Sequence, residues 1–176
     1  MSEELLDVVD QNNRLTGETV SKKTAHETGV CHRTVHTWLV NKREEMLLQL
    51  RSHNKDSFPD YWDISAAGHV QSGETYLQAA VRELKEELGV SADPEDLIYI
   101  TDVSYFSPKN NEFAKAYVLL TDLEEKDFVF SDHEVDEVRY VHYSKLREMI
   151  KDPANKIIRH EDEEEKVFEF IEHNRA

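Results

Sequence analysis

Apolar residues alternate with polar ones in short stretches at both ends of the chain and fall on helical spacing in its middle and at its C-terminus. The alternation predicts strands over residues 5–9, 35–40 and 46–50, the last two joined through the polar Asn41, Lys42, Arg43 and Glu44 as a hairpin. Further strands are expected over 97–105, 113–120 and 138–142. Between them Leu77, Ala80, Val81, Leu84 and Leu88 recur at helical spacing. Thr75 and Gln78 have the spacing of an N-terminal capping box, and Gly89 ends the run. Two more helices are expected over 143–150 and about 162–174, the second opened by the acids Glu161 to Glu165 and turning Val167, Phe170 and Ile171 inward. The mixture is α+β in class.

At 176 residues, with no internal repeat, the chain is expected to form one domain over 1–176, with a strand-and-turn extension at about 1–33. No apolar run reaches membrane-spanning length, and MSEELLDVVDQNNR is acidic rather than a basic leader, so a cytoplasmic protein with no membrane partner is expected. The lone Cys31 fits a reducing compartment and reads as an ordinary small residue. A formal charge of −16 argues against nucleic acid as a partner. A small anion can approach only where a cation or local Lys and Arg reverse the field. A homodimer is compatible with this composition, which does not specify an oligomeric state.

The helical stretch carries the chemistry. GHVQSGETYLQAAVRELKEELGV, residues 68–90, holds four glutamates, one arginine and three glycines. Glu83, Glu86 and Glu87 stand at i, i+3 and i+4 and share a face that Ala79 leaves uncrowded. Three adjacent carboxylates repel, so the group makes most sense around a cation. Oxygen ligands select a hard ion, Mg²⁺ or alternatively Mn²⁺, which can neutralise a diphosphate and activate water. Arg82, one turn before Glu86, is placed to fork onto Glu74 or Glu86 and orient it.

Gly68, Glu74, Arg82, Glu83, Leu84, Glu86, Glu87, Gly89 and Val90 match every position of the signature of the Nudix hydrolases, which this chain therefore resembles. The resemblance implies a mixed β-sheet sandwiched between α-helices, with the signature forming a loop, helix and loop along one side. It implies metal held at Gly68, Glu83, Glu86 and Glu87, catalytic work by Glu83, Glu86 and Arg82, and a small-molecule diphosphate as substrate.

A narrower resemblance covers about residues 1–120. TAHETGVCHRTVHTWLV and LLQLRSHNKDSFPDYWDISAAGH are similar to the type I isopentenyl diphosphate isomerases, which share the Nudix fold. It implies a metal at His26, His32, His69 and Glu112, with Asn110 where a further glutamate would fall, and a diphosphate gripped by Lys22, Arg51 and Lys55. The other reading of His69 is a residue lining the substrate pocket. The cysteine that protonates carbon in those isomerases is replaced by Ala67, which has no proton to give, so hydrolysis is the expected reaction, with an isomerase or a non-catalytic nucleotide-binding module as the alternatives. His36, His53, His142, His160 and His173 read as ordinary hydrogen-bonded or solvated residues.

SDHEVDEVRYVHYSKL resembles the Nudix loop from which some members draw a general base, which points to Glu134 with Glu137 behind it. Glu83 or Glu86 could instead take the proton while Glu87 stays on metal. Among the aromatics near the signature, Trp62 reads more readily as a sheet seal than as a substrate contact.

Overall fold

The computed structural model describes residues 4–55, 57–131 and 133–174. In chain order the elements are β1 (Leu5–Val9), β2 (Leu15–Ser21), α1 (Lys22–Thr28), β3 (His32–Val40), β4 (Glu45–Arg51), β5 (Trp62–Asp63), β6 (Ala66–His69), α2 (Tyr76–Leu88), β7 (Leu97–Phe106), β8 (Asn111–Leu120), β9 (Val135–His142), α3 (Tyr143–Met149) and α4 (Glu161–His173). The large sheet is mixed. β3 runs parallel to β8 over its whole length, while β7–β8, β4–β9 and β3–β6 are antiparallel.

Alternation along β3 explains why helices cover both faces of this sheet. Val35 and Leu39 enter a core with Ala79, Ala80, Leu84 and Leu88 of α2. Trp38 and Val40 enter a second core with Leu146 of α3 and Val167, Phe168 and Ile171 of α4. The fold is thus the expected α+β sandwich of a mixed sheet between helices.

Two expectations change. The extension before residue 33 is more than strand and turn: β1 pairs with β2, which lacks the apolar alternation, and α1 follows, capped by the Ser21 hydroxyl. The expected hairpin holds only at its turn, where Val40 faces Met46. Beyond that point the run 62–69 wedges between the strands, pairing first with β4 and then with β3. The buried Ser65 hydroxyl fills the fork by accepting from Leu39 N and donating to Leu47 O. The acids expected to open α4 do so, and Glu163 and Glu164 among them are buried.

Candidate active site

Local rules place the acidic helix. Thr75 and Gln78 close the capping box of α2, and Gly89 ends it at φ 70°, where an added Cβ would also lie 2.9 Å from Val129 O. The helix lies against β6 so closely that a Cβ on Gly68 would stand 2.0 Å from Glu83 Oε1, a contact no side chain can make. Glu83 and Glu87 therefore point onto the bare backbone of β6 and are buried, while the Glu86 side chain stays half exposed. The shared face expected for the three acids is resolved into two inner carboxylates and one at the rim.

Arg82 organises them. Its Nε and Nη2 donate to the two oxygens of Glu74 at 2.9 and 3.0 Å, Nη1 to Glu83 at 2.6 Å and Glu86 at 3.0 Å, and Nη2 also to the His69 carbonyl at 2.8 Å. The guanidinium thus ties the helix to both the preceding loop and β6. Burial opposes its charge, but Glu74 and Glu83 more than offset this and raise its pKa. Burial also raises Glu83, to about 7 despite Arg82 beside it. Glu87 is pushed well above the carboxylate range by burial and then by the charge of Glu83, although the Ala67 N–H donates to Oε2. Gln49 Nε2 donates to the same oxygen at 3.1 Å. Gln49 was not foreseen; a lone amide in the apolar run of β4 was the available signal.

Two buried acids that disfavour each other's ionisation, with an oxygen-only donor set over a glycine that leaves room, fit a hard divalent cation. Mg²⁺ or Mn²⁺ would suit Glu83 and Glu87, with Glu86 nearest solvent.

Basic residues gather at the same end. Lys55 Nζ pairs with Glu134, and Glu134 also feels Lys22 and Arg51. Burial would raise the Glu134 carboxyl, but Lys55 holds it below its ordinary value. Lys22 pairs with Glu4 at 3.2 Å. Arg51 is turned toward the Ser57 carbonyl and Asp63, so its fork is already engaged. Trp62 lies under the Arg139 guanidinium, 3.8 Å from its ring centroid, as a seal of the sheet.

The histidine set converges as well. His26 and His69 bring their Nε2 atoms to 3.1 Å, and His32 Nε2 lies 3.5 Å from Glu112 Oε1. One ligand atom from each of these four residues falls within 4.8 Å of the others. His32 Nδ1 donates to the Val30 carbonyl at 3.0 Å, which turns Nε2 toward Glu112. Among the described residues, His32 Nε2 and His69 Nδ1 are buried without hydrogen-bond partners. Burial and then the neighbouring His32 charge lower His26; burial and then Lys22 lower His69 well below its ordinary value. Both rings therefore offer lone pairs. His69 stands in this group, and its backbone carbonyl joins the group to Arg82.

His36 and His160 are hydrogen-bonded, as expected. Both sit in a buried network with Glu163 and Asp63 on the other face of the sheet from α2. A cavity of about 480 Å³ lined by Asn41, Leu120, Asp122 and Phe170 lies at the other end of β3 and β8 from His32 and Glu112 and includes none of these side chains.

Comparison with known proteins agrees with this geometry. The NUDIX domain family matches residues 19–160. The chain is 39% identical over 166 residues to Nudix hydrolase 3 of Arabidopsis thaliana, covering 88% of this chain but 21% of that protein. It is 39% identical over 142 residues to an uncharacterized Nudix hydrolase of Clostridium acetobutylicum, covering 77% and 68%. An isopentenyl-diphosphate delta-isomerase of Gibberella zeae is 28% identical over 177 residues, covering 88% and 69%. In fold, the Deinococcus radiodurans protein DR0079 superposes with a TM-score of 0.67 at 23% identity, covering 98% of this chain and 100% of its own. A matched signature, a mixed sheet between helices and relatives of this similarity place the chain in the Nudix hydrolase family.

Proposed function

We propose that this protein is a Mg²⁺- or Mn²⁺-dependent hydrolase that splits the phosphoanhydride bond of a small diphosphate compound, such as a nucleoside diphosphate derivative. The observation that carries this reading is the pair of buried carboxylates on β6, Glu83 against the bare backbone of Gly68 and Glu87 on the Ala67 N–H. A divalent ion bound there would supply charge neutralisation for the diphosphate and a water of lowered pKa.

The protein's own groups do the rest. Arg82 orients Glu74, Glu83 and Glu86, so the acids enter the reaction already placed. Lys22 and Lys55 supply positive charge to an anionic substrate in an otherwise acidic protein, and Arg51 contributes through its field while braced on Asp63. Glu134, kept ionised by Lys55, accepts the proton of the attacking water at its carboxylate. His26, His32, His69 and Glu112 suit a second, nitrogen-preferring ion beside the same stretch of β6.

The isomerase alternative draws support from the same histidine set and from the similarity to the Gibberella zeae isomerase. Ala67 stands against it, since the residue facing His36 across β3–β6 has no acidic proton. A panel of diphosphate compounds, including isopentenyl diphosphate, assayed with Mg²⁺ and Mn²⁺ tests both. Metal-dependent release of phosphorylated products from one of the panel is expected. Conversion of isopentenyl diphosphate to its allylic isomer with no phosphate released would overturn the hydrolase reading.

A further inference from the structure

On the face of the sheet opposite α2, side chains from four elements meet below β3. His36 and Trp38 come from β3, Asp63 from β5, Tyr105 from β7, and His160 and Glu163 from the start of α4. His36 Nδ1 and Glu163 Oε2 are 2.7 Å apart, and Trp38 Nε1 donates to Glu163 Oε1 at 2.5 Å. His160 Nε2 lies 2.8 Å from Asp63 Oδ1, and Arg51 braces Asp63 at 3.2 Å. The Tyr105 hydroxyl stands 3.3 Å from His160 Nδ1 and 3.5 Å from Glu163 Oε2. One ligand atom from each of His36, His160 and Glu163 lies within 4.8 Å of the others.

Each of two would-be ligands is held from behind by a group of its own. Asp63 accepts a hydrogen bond from His160 Nε2 and so leaves Nδ1 aimed inward, which is the usual outer support of a metal-binding imidazole. Trp38 occupies the outer oxygen of Glu163, and the inner one faces the two rings, paired with His36 Nδ1. A helix anchor would need only one such pair. Here both rings, a carboxylate and a phenol converge on one point, and the side chains of His36, Glu163 and His160 are 7%, 0% and 11% exposed.

We infer that His36, His160 and Glu163 form a binding site for a borderline divalent ion of the Zn²⁺ type, with the Tyr105 hydroxyl beside its fourth position. Two imidazole nitrogens and one carboxylate oxygen favour such an ion over Mg²⁺. On binding, His36 carries its proton at Nε2 instead of Nδ1 by exchange with solvent, and His160 releases any Nδ1 proton to solvent while keeping that at Nε2. The ion ties the start of α4 to β3, a structural role separate from the glutamates of α2 and from the His26, His32, His69 and Glu112 set.

The test is a Co²⁺ titration of the His26→Ala/His69→Ala protein in excess Mg²⁺, which is spectroscopically silent and occupies oxygen sites. A saturable visible absorption band at one Co²⁺ per chain is expected, displaced by an equivalent of Zn²⁺. It should persist in the added Glu87→Gln background and weaken at least tenfold with His36→Gln or Glu163→Gln. A readout without substitutions in the cluster accompanies it: bound Co²⁺ should shift or broaden the indole N–H signal of Trp38 more than that of Trp62. A folded His26→Ala/His69→Ala protein showing no saturable band, or Co²⁺ that leaves the Trp38 signal in place, would overturn the site. Neither readout depends on hydrolysis, so a failure here leaves the proposed reaction untouched.

Discussion

Gly68→Ala isolates the contact on which the acidic site depends. Gly68 needs no left-handed backbone, so alanine is acceptable to the chain locally, and the whole effect falls on what its Cβ meets. That carbon would lie 2.0 Å from Glu83 Oε1 and 2.1 Å from Glu83 Cδ. Ordinary van der Waals contact begins at 3.4 Å, so the carboxylate must retreat by about 1.4 Å. A displacement of that size takes Glu83 out of reach of Arg82 Nη1, now 2.6 Å away, and away from any ion shared with Glu87. Misplacement of a catalytic group by about 1 Å costs on the order of 100-fold in rate. Losing one charge-assisted hydrogen bond costs about 1.5–3 kcal/mol, although the relief of crowding between Glu83 and Glu87 offsets part of it. The expected outcome is a fall of about 100-fold in kcat for whichever diphosphate is hydrolysed, with the Mg²⁺-induced rise in Tm reduced and far-UV circular dichroism unchanged. Steady-state kinetics and thermal melts with and without Mg²⁺ measure both. A Gly68→Ala protein within threefold of the parent rate would refute the claim that the bare backbone at this position sets the metal geometry.

Other expectations use different groups. Glu87→Gln should lower turnover at least about 100-fold, yet raise or preserve Tm in chelator, because it removes one of two crowded buried charges while its amide oxygen can still accept from Ala67 N; a near-parental rate would contradict a metal role. Glu134→Gln should lower kcat by about 10- to 1000-fold as loss of a general base without altering the Mg²⁺-dependent melt, and a changed melt would instead assign Glu134 to the ion. For pH, Glu83 has a folded pKa of about 7 against an ordinary 4.5. A raised value means the metal-free folded state binds the extra proton, so this stabilisation is complete below about 4.5 and is lost as pH rises through about 7, to a ceiling of about 3 kcal/mol. Mg²⁺ binds the ionised form, so its gain in Tm should be larger at pH 8 than at pH 5.5; equal gains at both would show that Glu83 does not titrate there.

Short-range patterns explain what was legible in the chain. The capping box and Gly89 bounded α2 within a residue, because cap geometry is written in neighbouring side chains. β3, β4, β7, β8 and β9 were found by alternation, but β3 and β8 came out short at their polar ends, where His32 and Glu112 break the apolar pattern. β2, with residues mostly exposed, and the brief β5 and β6 gave no such signal. The fork at Ser65 was unreadable for a different reason: separation of β3 from β4 depends on a third segment entering between them.

By itself the sequence determined the family signature, the identity of the acidic and basic groups and the helix that carries Glu83, Glu86 and Glu87, since all of these rest on residue type and spacing within a few turns. Only the tertiary structure decided which acids are inner and which lies at the rim, that Arg82 binds three carboxylates at once, and that Glu163 is buried against His36. Burial and charge coupling arise between segments far apart in the chain, and Glu163 stands 127 residues from the histidine it meets.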